Sequence, residues 1–471
     1  MPLVCAVAAQ TVLMVTLTIM LISLPDIQSA LGISDAEKTW VVIAYTLPYG
    51  ALVLFGGRMV QRFGSRSVFL SASCGFALAS LVGAMALSSC TLIVARVFQG
   101  IFAALLAPAN LSLVSTSYSD AGKRTRAFAI MGGTGGAGAA LGLVLGGFLT
   151  ECLDWRWCFL SVGVAALVAV GIGVKGLKRH PVSSSVPLFS DTLGIILSCV
   201  GLFLVISGFF LAEGFGWSDG KTLASLSAGG ALLVFFILHE GKVASPLLPL
   251  HLFGETTRVA SYLVMVFAGW AQMGSLVYLT YYLQDNLGFS QMVTGFGFLP
   301  LVIGLVIASA VSAKWFFPDH TPEVAFSCGV LVQGFGFQVL TAIGASDSYT
   351  PSVLFGLFLI GVGMGISLPL AFSAGTRRVA ERFSGVASAL LNSMQQLGAS
   401  FGVAFLGAYA TCSIAGSIAA NADDADRMVA SAQAYASGFQ IMAVSAFILA
   451  LVLGLLALVA KCRRQSSGIE D

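Results

Sequence analysis

The sequence contains very little charge. Only 9% of its 471 residues are Asp, Glu, Lys or Arg, whereas 57% are hydrophobic; a typical soluble domain has about 25% charged residues. This composition excludes an ordinary water-soluble protein. The apolar runs are long enough to cross a bilayer as helices of about 20 residues, and they are too long and uniform for barrel strands. The sequence therefore predicts an all-α, multi-pass membrane protein.

Signatures of catalysis, metal binding and nucleic-acid binding are also missing. The four histidines lie apart in connecting segments, and the nine cysteines lie mostly within apolar runs, without metal-ligand spacing. No glycine–lysine P-loop for ATP is present. The net charge of +2 gives no reason to expect a nucleic-acid partner. We therefore predict no enzymatic activity, no cofactor, no metal and no nucleic-acid partner.

What the sequence does contain is a long series of apolar runs. Fourteen candidate spans lie at 3–24, 39–57, 67–87, 90–117, 126–150, 158–174, 192–213, 221–238, 258–283, 291–316, 323–343, 351–374, 383–411 and 436–460. An even number of spans places both termini on one side. Of the 23 lysines and arginines, 18 fall in one set of alternate connections or the C-terminal tail, and four fall in the opposite set. The excess predicts that both termini are cytoplasmic, and the short loops and tails favour the inner membrane of a bacterium.

An internal repeat indicates two related halves. The segment "LPYGALVLFGGRMVQRF" at 47–63 aligns with "LPLVIGLVIASAVSAKW" at 299–315, and both keep Leu-Pro at the start and a basic–aromatic pair at the end. Parallel repeats related by an axis along the membrane normal are one known plan of transporters.

Several motifs resemble those of the major facilitator superfamily. They are "GGRMVQRFGSRS", with Gly57, Arg62, Gly64 and Arg66 matching; "ARVFQGIFAA", with Arg96, Gln99 and Gly100 matching; and "GGTGGAGAALGLVLGGFL", with Gly138, Gly142 and Gly146. The segments "WVVIAYTL", "DWRWCFL", "PLLPLHLF" and "GVASALLNSMQQLGASFGVA" are similar to segments of its fourteen-helix drug:proton antiporters. The similarity follows the chain in order over nearly its whole length.

This resemblance implies an architecture and a function. It implies a six-helix bundle at 1–180, two additional transmembrane helices at 181–257 and a second six-helix bundle at 258–471. The implied function is proton-coupled efflux of amphipathic small molecules by alternating access, with a monomeric transport unit. The motif at Gly57, Arg62, Gly64 and Arg66 would serve conformational switching, and Gly138, Gly142 and Gly146 would allow close helix packing. The alternatives are an importer or facilitator of an anionic or neutral metabolite, and a transport-inactive receptor or regulator.

The chain departs from the family pattern in its first span. Members of the antiporter group commonly carry an acidic residue in helix one, where the segment "VTLTIMLISLPD" has Thr16. A buried carboxylate can attract a cationic drug and can bind and release a proton. Threonine forms hydrogen bonds but does not titrate. This departure leaves open whether proton coupling and cationic-drug recognition carry over.

Arg96 is the one ionisable residue clearly inside a predicted span, about 9 Å from its start. It could reach the membrane surface, lock helices through carbonyls or Gln99, or line the cavity and pair with substrate or a proton site. We place it in the substrate or coupling region, because charges within the membrane are costly and usually functional. Candidate partners at the outer helix ends are Asp26, Glu213 and Asp285, and the resemblance favours Asp26.

Other polar residues in the spans are candidates for the same substrate and proton pathway. They are Gln99, Tyr45, Asn110, Gln272, Tyr281, Asn392 and Gln395. Asn392 and Gln395 are the strongest candidates, because amides one turn apart on a spanning helix need hydrogen-bond partners.

Overall fold

The structure is a computed structural model that describes residues 1–118, 120–177, 191–243, 246–315, 322–342, 351–377, 379–380, 383–419 and 424–466. Its α-helices are α1 (Pro2–Leu31), α2 (Asp35–Phe63), α3 (Ser65–Ala84), α4 (Ser89–Ser117), α5 (Ala121–Cys152), α6 (Arg156–Gly176), α7 (Thr192–Phe215), α8 (Gly220–Glu240), α9 (Thr256–Tyr281), α10 (Gln291–Gly297), α11 (Leu299–Trp315), α12 (Pro322–Leu340), α13 (Pro351–Gly375), α14 (Ser384–Ala419) and α15 (Asp424–Ser466). A short 3-10 helix at Leu250–Phe253 precedes α9, and a π-helical turn at Tyr282–Asn286 follows it.

Short polar residues define where several helices begin. Ser34 caps α2 in a reciprocal capping box with Glu37. Asp120, Asp191 and Asp219 cap α5, α7 and α8 by accepting hydrogen bonds from backbone N–H groups of the first turn. Gly64 has a φ of 80° and directly connects α2 to α3, a conformation that glycine adopts without a steric penalty.

The helices confirm the predicted membrane-spanning architecture. Thirteen segments within the described residues have the length and hydropathy to cross a membrane. The remaining predicted span, 383–411, corresponds to α14, part of whose side chains lies outside the described set. The predicted run 291–316 is divided into α10 and α11. Pro300 is the reason, because it has no N–H to continue the hydrogen bonding of a preceding helix.

The helices pack as two bundles with a hairpin between them. In the first bundle α1 packs on α5, α4 on α2 and α3, and α6 on α3. In the second, α14 packs on α9, α13 on α11 and α12, and α15 on α12. The inserted hairpin α7–α8 contacts both bundles through α7, which packs on α2 and α14. Contacts of α5 with α11 and of α2 with α14 join the two bundles across the centre.

Large apolar side chains cover much of the outer surface of this assembly. Phe235 and Leu238 on α8 are 66% and 60% exposed, and Leu451 and Leu458 on α15 are 66% and 61% exposed. Exposed apolar side chains at this density are unfavourable in water but suit contact with lipid.

Candidate functional site

A cavity lies between the two bundles and consists of two adjoining pockets, with empty volumes of about 520 and 480 Å³. Met14, Gly136, Gln272 and Leu305 line both pockets and therefore mark the centre of the cavity. These four residues come from α1, α5, α9 and α11. Because both bundles supply walls, relative movement of the bundles changes the shape of this cavity.

Three amides supply polar groups to the cavity wall from the second bundle. The Nε2 of Gln395 on α14 donates to Oε1 of Gln272 on α9 at 3.3 Å. One turn away, Nδ2 of Asn392 donates to the carbonyl of Ser388 at 3.0 Å. The structure thus brings together three residues that the sequence analysis selected. It also agrees with the expectation that amides on a spanning helix require partners.

The first bundle holds a second pair of amides, of which Gln10 reaches the cavity wall. Gln10 on α1 lines the cavity, and its Oε1 accepts a hydrogen bond from Nδ2 of Asn110 on α4 at 3.3 Å. Asn110 is completely buried, and its Oδ1 has no hydrogen-bond partner among the residues that the structure describes. An unpaired buried carbonyl oxygen favours an incoming donor, since leaving such a group unsatisfied costs about 1–3 kcal/mol.

The cavity wall is otherwise apolar. Among the described residues that line the two pockets, none is Asp, Glu, Lys, Arg or His. Met14 and Met273 offer flexible, polarisable surface, which adapts to ligands of different shape. Phe298 and Phe372 add aromatic surface. This chemistry suits amphipathic molecules that present apolar area and a few hydrogen-bonding groups.

Arg96 lies outside this cavity and is held within the first bundle. Its Nε donates to the carbonyl oxygen of Val41 on α2 at 3.1 Å, and its Nη1 donates to Oε1 of Gln99 at 3.1 Å. The guanidinium lies over the ring of Tyr45, with 4.4 Å between Cζ and the ring centroid. Arg96 is 1% exposed. It therefore reaches neither the membrane surface nor the cavity between the bundles.

Gln99 extends the Arg96 contacts to a third helix. Its Nε2 donates to Oγ of Ser80 on α3 at 2.8 Å, and that hydroxyl in turn donates to the carbonyl of Phe76 at 2.8 Å. Next along α4, Gly100 lies so close to α2 that a Cβ there would be 2.7 Å from Cγ of Pro48. Arg96, Gln99 and Gly100 together fix α4 against α2 and α3.

The contacts of Arg96 are sufficient to balance the cost of its burial. Placing an arginine at the centre of a spanning helix costs about 2.5–3.5 kcal/mol on insertion scales. Hydrogen bonds that involve a charged group contribute about 1.5–3 kcal/mol each, and a desolvated cation–π contact contributes about 2 kcal/mol. The two hydrogen bonds and the Tyr45 contact offset that cost without a carboxylate.

The predicted acidic partners are not among the recorded contacts of Arg96. Asp26 is half-buried, and no described carboxylate forms an ion pair with Arg96. The side chains of Glu213 and Asp285 lie outside the described set, as does the side chain of Tyr281. Thr16 does lie beside Arg96, because both line a separate small pocket with Gln99 and Cys158. The residue at which the first span departs from the family pattern therefore lines the same small pocket as Arg96.

The Gly57 motif lies where the two bundles meet. A Cβ on Gly57 would be 2.6 Å from Cβ of Ala389 and 2.9 Å from the carbonyl oxygen of Gly385, both on α14. Arg62 and Arg66 are half-buried on either side of the Gly64 turn. The motif thus couples the end of α2 to the start of α14, and only glycine at position 57 allows this approach.

Gly138, Gly142 and Gly146 of α5 face α1. A Cβ on Gly138 or Gly146 would contact Met14 or Ile19 at 3.3 and 3.1 Å, and a Cβ on Gly142 would overlap the hydroxyl of Thr18. Small residues every four positions let the two helices approach closely. This stripe therefore supports the wall that carries Met14 and Thr18.

The sequence analysis missed several residues of the cavity wall, including Gln10, Met14, Thr18 and Phe372. Gln10 has a signal of its own, because it is the only amide in the first predicted span. The apolar residues of the cavity wall carry no such signal, because in sequence an apolar residue that faces a cavity cannot be told from one that faces lipid.

Comparisons with known proteins agree with this arrangement. A sequence model of the Major Facilitator Superfamily matches residues 5–403. The chain is 39% identical over 412 residues to the puromycin resistance protein pur8 of Streptomyces alboniger, covering 87% of this chain and 81% of that protein. It is 32% identical over 409 residues to the cephamycin export protein CmcT of Amycolatopsis lactamdurans, covering 86% and 83%. The human organic anion transporter MFSD10 has a similar fold, with a TM-score of 0.62 at 16% identity over 95% of this chain and 98% of that one.

The chain belongs to the Major Facilitator Superfamily and is a multi-pass membrane transport protein, not an enzyme.

Proposed function

We propose that this member of the Major Facilitator Superfamily exports amphipathic, antibiotic-like small molecules from bacterial cells. The observation that carries the proposal is the cavity between the bundles, which combines apolar and aromatic surface with the amides of Gln10, Gln272, Asn392 and Gln395. The similarity to a puromycin resistance protein and a cephamycin export protein supports the same substrate class.

Transport proceeds by alternating access in this proposal. The bundles at 1–180 and 258–471 are the moving units, the helices within 181–257 accompany them, and one chain is the transport unit. Gln272, Asn392, Gln395 and Asn110 serve the substrate pathway. Arg96, Gln99 and Tyr45 act on it through the position of α4 against α2. The transmembrane proton gradient supplies the energy. Asp26 and Thr16, which the sequence analysis considered for proton coupling, do not line the central cavity.

The proposal places the protein in the bacterial inner membrane with both termini in the cytoplasm. Two exposed cysteines allow a test of this orientation, since Cys90 begins α4 and Cys152 ends α5. A membrane-impermeant maleimide should label both from outside intact cells, and Cys90→Ser and Cys152→Ser should each remove one label. Labelling of the two cysteines only after the membrane is opened would indicate the opposite orientation of the protein.

Retention of puromycin in a pump-deficient bacterial host tests the export function. Cells that produce the wild type should retain less puromycin than cells without it, and a protonophore should abolish the difference. The Gln272→Leu variant should weaken export, because it removes an amide from the cavity wall. Gln338→Leu is the matched control, since Gln338 is an exposed amide on α12.

The outcomes of this assay separate the alternatives. Higher retention in the presence of the protein would indicate an importer. Unchanged retention of puromycin, of cephamycin and of neutral and anionic dyes, with the protein present in the membrane, would contradict export. Export that persists with the protonophore would exclude the proton gradient as its source of energy.

A further inference from the structure

A second cluster of buried charged groups lies at the base of the inserted hairpin. Asp191 immediately precedes α7, Glu240 is the last residue of α8, and Arg58 approaches them from α2. Their exposed fractions are 5% for Asp191, 3% for Glu240 and 3% for Arg58. Buried carboxyl groups are rare unless they are paired, and neither of these lines the cavity between the bundles.

Asp191 is fixed in position by two hydrogen bonds to one of its oxygens. Its Oδ1 accepts from the N–H of Gly194 at 2.9 Å, which caps α7, and lies 2.7 Å from Nε2 of His239 on α8. These contacts tie the start of α7 to the end of α8. The second oxygen, Oδ2, is buried and accepts no hydrogen bond from an N–H or O–H group of the described residues.

Glu240 is held in the same way through one oxygen. Its Oε2 accepts from the backbone N–H of Leu248 at 2.9 Å, in the segment that leads from the hairpin to the second bundle. Leu247 and Leu248 are both buried in the main core. The other oxygen, Oε1, is buried, and no N–H or O–H group in the described part of the chain donates to it.

The two unpaired oxygens face each other. A Cβ added to Gly194 would overlap both Oδ2 of Asp191 and Oε1 of Glu240, which places the two oxygens around one point. Two ionised carboxylates in such proximity repel each other, and neither can donate a hydrogen bond. One proton removes the repulsion and supplies the missing donor, so that both orphaned oxygens are satisfied at once.

We propose that Asp191 and Glu240 together bind one proton, and that the protonated pair fastens the inserted hairpin to α2 and to the segment that begins the second bundle. This site goes beyond the proposed export function. The charged and titratable groups recorded around it are Arg58 from α2 and His239 from α8. With neutral His239, the positive charge of Arg58 balances the single negative charge of the protonated pair.

The electrostatics of Asp191 agree with its being the ionised member of the pair. Burial raises the pKa of Asp191, but the hydrogen bond that a protonated Glu240 donates, together with those from the N–H of Gly194 and from His239, outweighs this effect and leaves the pKa below its usual range. Glu240 is then the member that donates, and protons exchange at the pair as a unit rather than at one residue.

The position of the site connects it to the contact between the bundles. Arg58 directly follows Gly57, which packs against Gly385 and Ala389 of α14. Release of the proton leaves two buried negative charges beside Arg58 and weakens the attachment of α8 at this point. The local pH therefore adjusts how firmly the hairpin holds the end of α2.

Infrared spectroscopy of the purified wild type detects the proton directly. At neutral pH we expect a carbonyl stretch from a protonated buried carboxylic acid that shifts in D₂O and disappears at high pH. Glu240→Gln should remove this signal, because its amide replaces the protonated acid as donor to Asp191. Glu255→Gln is the matched control, since the Glu255 side chain is 40% exposed and pairs with Arg258, and it should leave the signal unchanged.

Thermal unfolding as a function of pH provides a second measurement. The folded pair binds a proton that the unfolded chain has released at neutral pH, so the wild-type Tm should fall as the pair loses its proton with rising pH. Glu240→Gln should flatten this part of the profile, and Asp191→Asn should do the same if Glu240→Gln does not fold.

A wild type without the carbonyl signal would overturn the proposal. So would a signal and a pH profile that survive both substitutions, or that are lost equally in Glu255→Gln. Neither measurement depends on transport, so these results are independent of whether the protein exports puromycin.

Discussion

The Arg96 site and the cavity between the bundles both bury polar groups inside the membrane, but they do so in different ways. Arg96 is a buried charged residue whose partners are Val41, Gln99 and Tyr45. The cavity wall carries no charged residue among those described, and the hydrogen bonds from Gln395 to Gln272 and from Asn110 to Gln10 are both 3.3 Å long. In the first region the guanidinium has fixed partners, whereas next to the second region Oδ1 of Asn110 has no partner among the described residues.

The difference shows that this protein buries charge where helices pack together and not in the cavity wall. A buried guanidinium is stable only with fixed partners, so it suits the joint between α4, α2 and α3. A site that accepts several substrates must release them as well, and weakly bonded amides beside flexible methionines permit this. Substitutions in the first region should therefore act on stability, and substitutions in the second should act on substrates.

The largest expected effect is that of Arg96→Ala. The substitution leaves the carbonyl of Val41 and Oε1 of Gln99 without this donor and creates a void beside Tyr45. We expect a loss of stability of about 3 kcal/mol or more, measured as a lower Tm of the purified protein. A Tm equal to that of the wild type, with export alone abolished, would place Arg96 in the substrate pathway instead.

Gly57→Ala should have the next largest effect. Gly57 lies where α2 contacts α14, that is, where the two bundles meet. Its Cβ would lie 2.6 Å from Cβ of Ala389, so α2 and α14 must separate. We expect the proposed export to slow by about tenfold, which corresponds to about 1.4 kcal/mol. Gly171→Ala is the control, because a Cβ there meets no atom within 4 Å. Equal rates for the two variants would contradict a role of this contact in transport.

Gln395→Leu should change substrate preference and leave stability nearly unchanged. It removes the hydrogen bond to Gln272 and one amide from the cavity, at a cost of about 1 kcal/mol for substrates that bond to it. Efflux rates for several substrates should fall unequally, by up to about fivefold, while the Tm stays close to that of the wild type. If the efflux rates of all substrates fell equally and the Tm fell as well, the Gln395 amide would stabilise the fold, as Arg96 does, and would not select substrates.

The smallest expected effect concerns Glu37, which lies in the first turn of α2. A hydrogen bond from the N–H of Ser34, followed by hydroxyl bonds from Ser89 and Ser34, lowers the pKa of Glu37 from its ordinary value of 4.5. The stabilisation is present above that value and is lost as the pH falls through the lowered pKa. Glu37→Gln should therefore slightly reduce the Tm at neutral pH and match the wild type in acid. A constant difference at all pH values would exclude this linkage.

Much of the fold was predictable from residues that carry local signals. Apolar runs gave the spans, the Ser34–Glu37 box gave the start of α2, and the Gly57 and Gly142 motifs indicated the family. Gln272, Asn392 and Gln395 were predictable as cavity residues, because amides inside apolar helices are costly without a purpose. The division between α10 and α11 was missed, although Pro300 was its visible signal.

The amino-acid sequence by itself determined the membrane architecture and the family, because the hydrophobic effect and backbone hydrogen bonding act on composition and on short-range pattern. Only the tertiary structure decided which buried polar groups meet. Arg96 and Val41 are separated by 55 residues, and Asp191 and His239 by 48. No local rule links such positions, since their contact depends on how whole helices pack. That packing encloses Arg96 within one bundle and leaves the amides at the cavity between two.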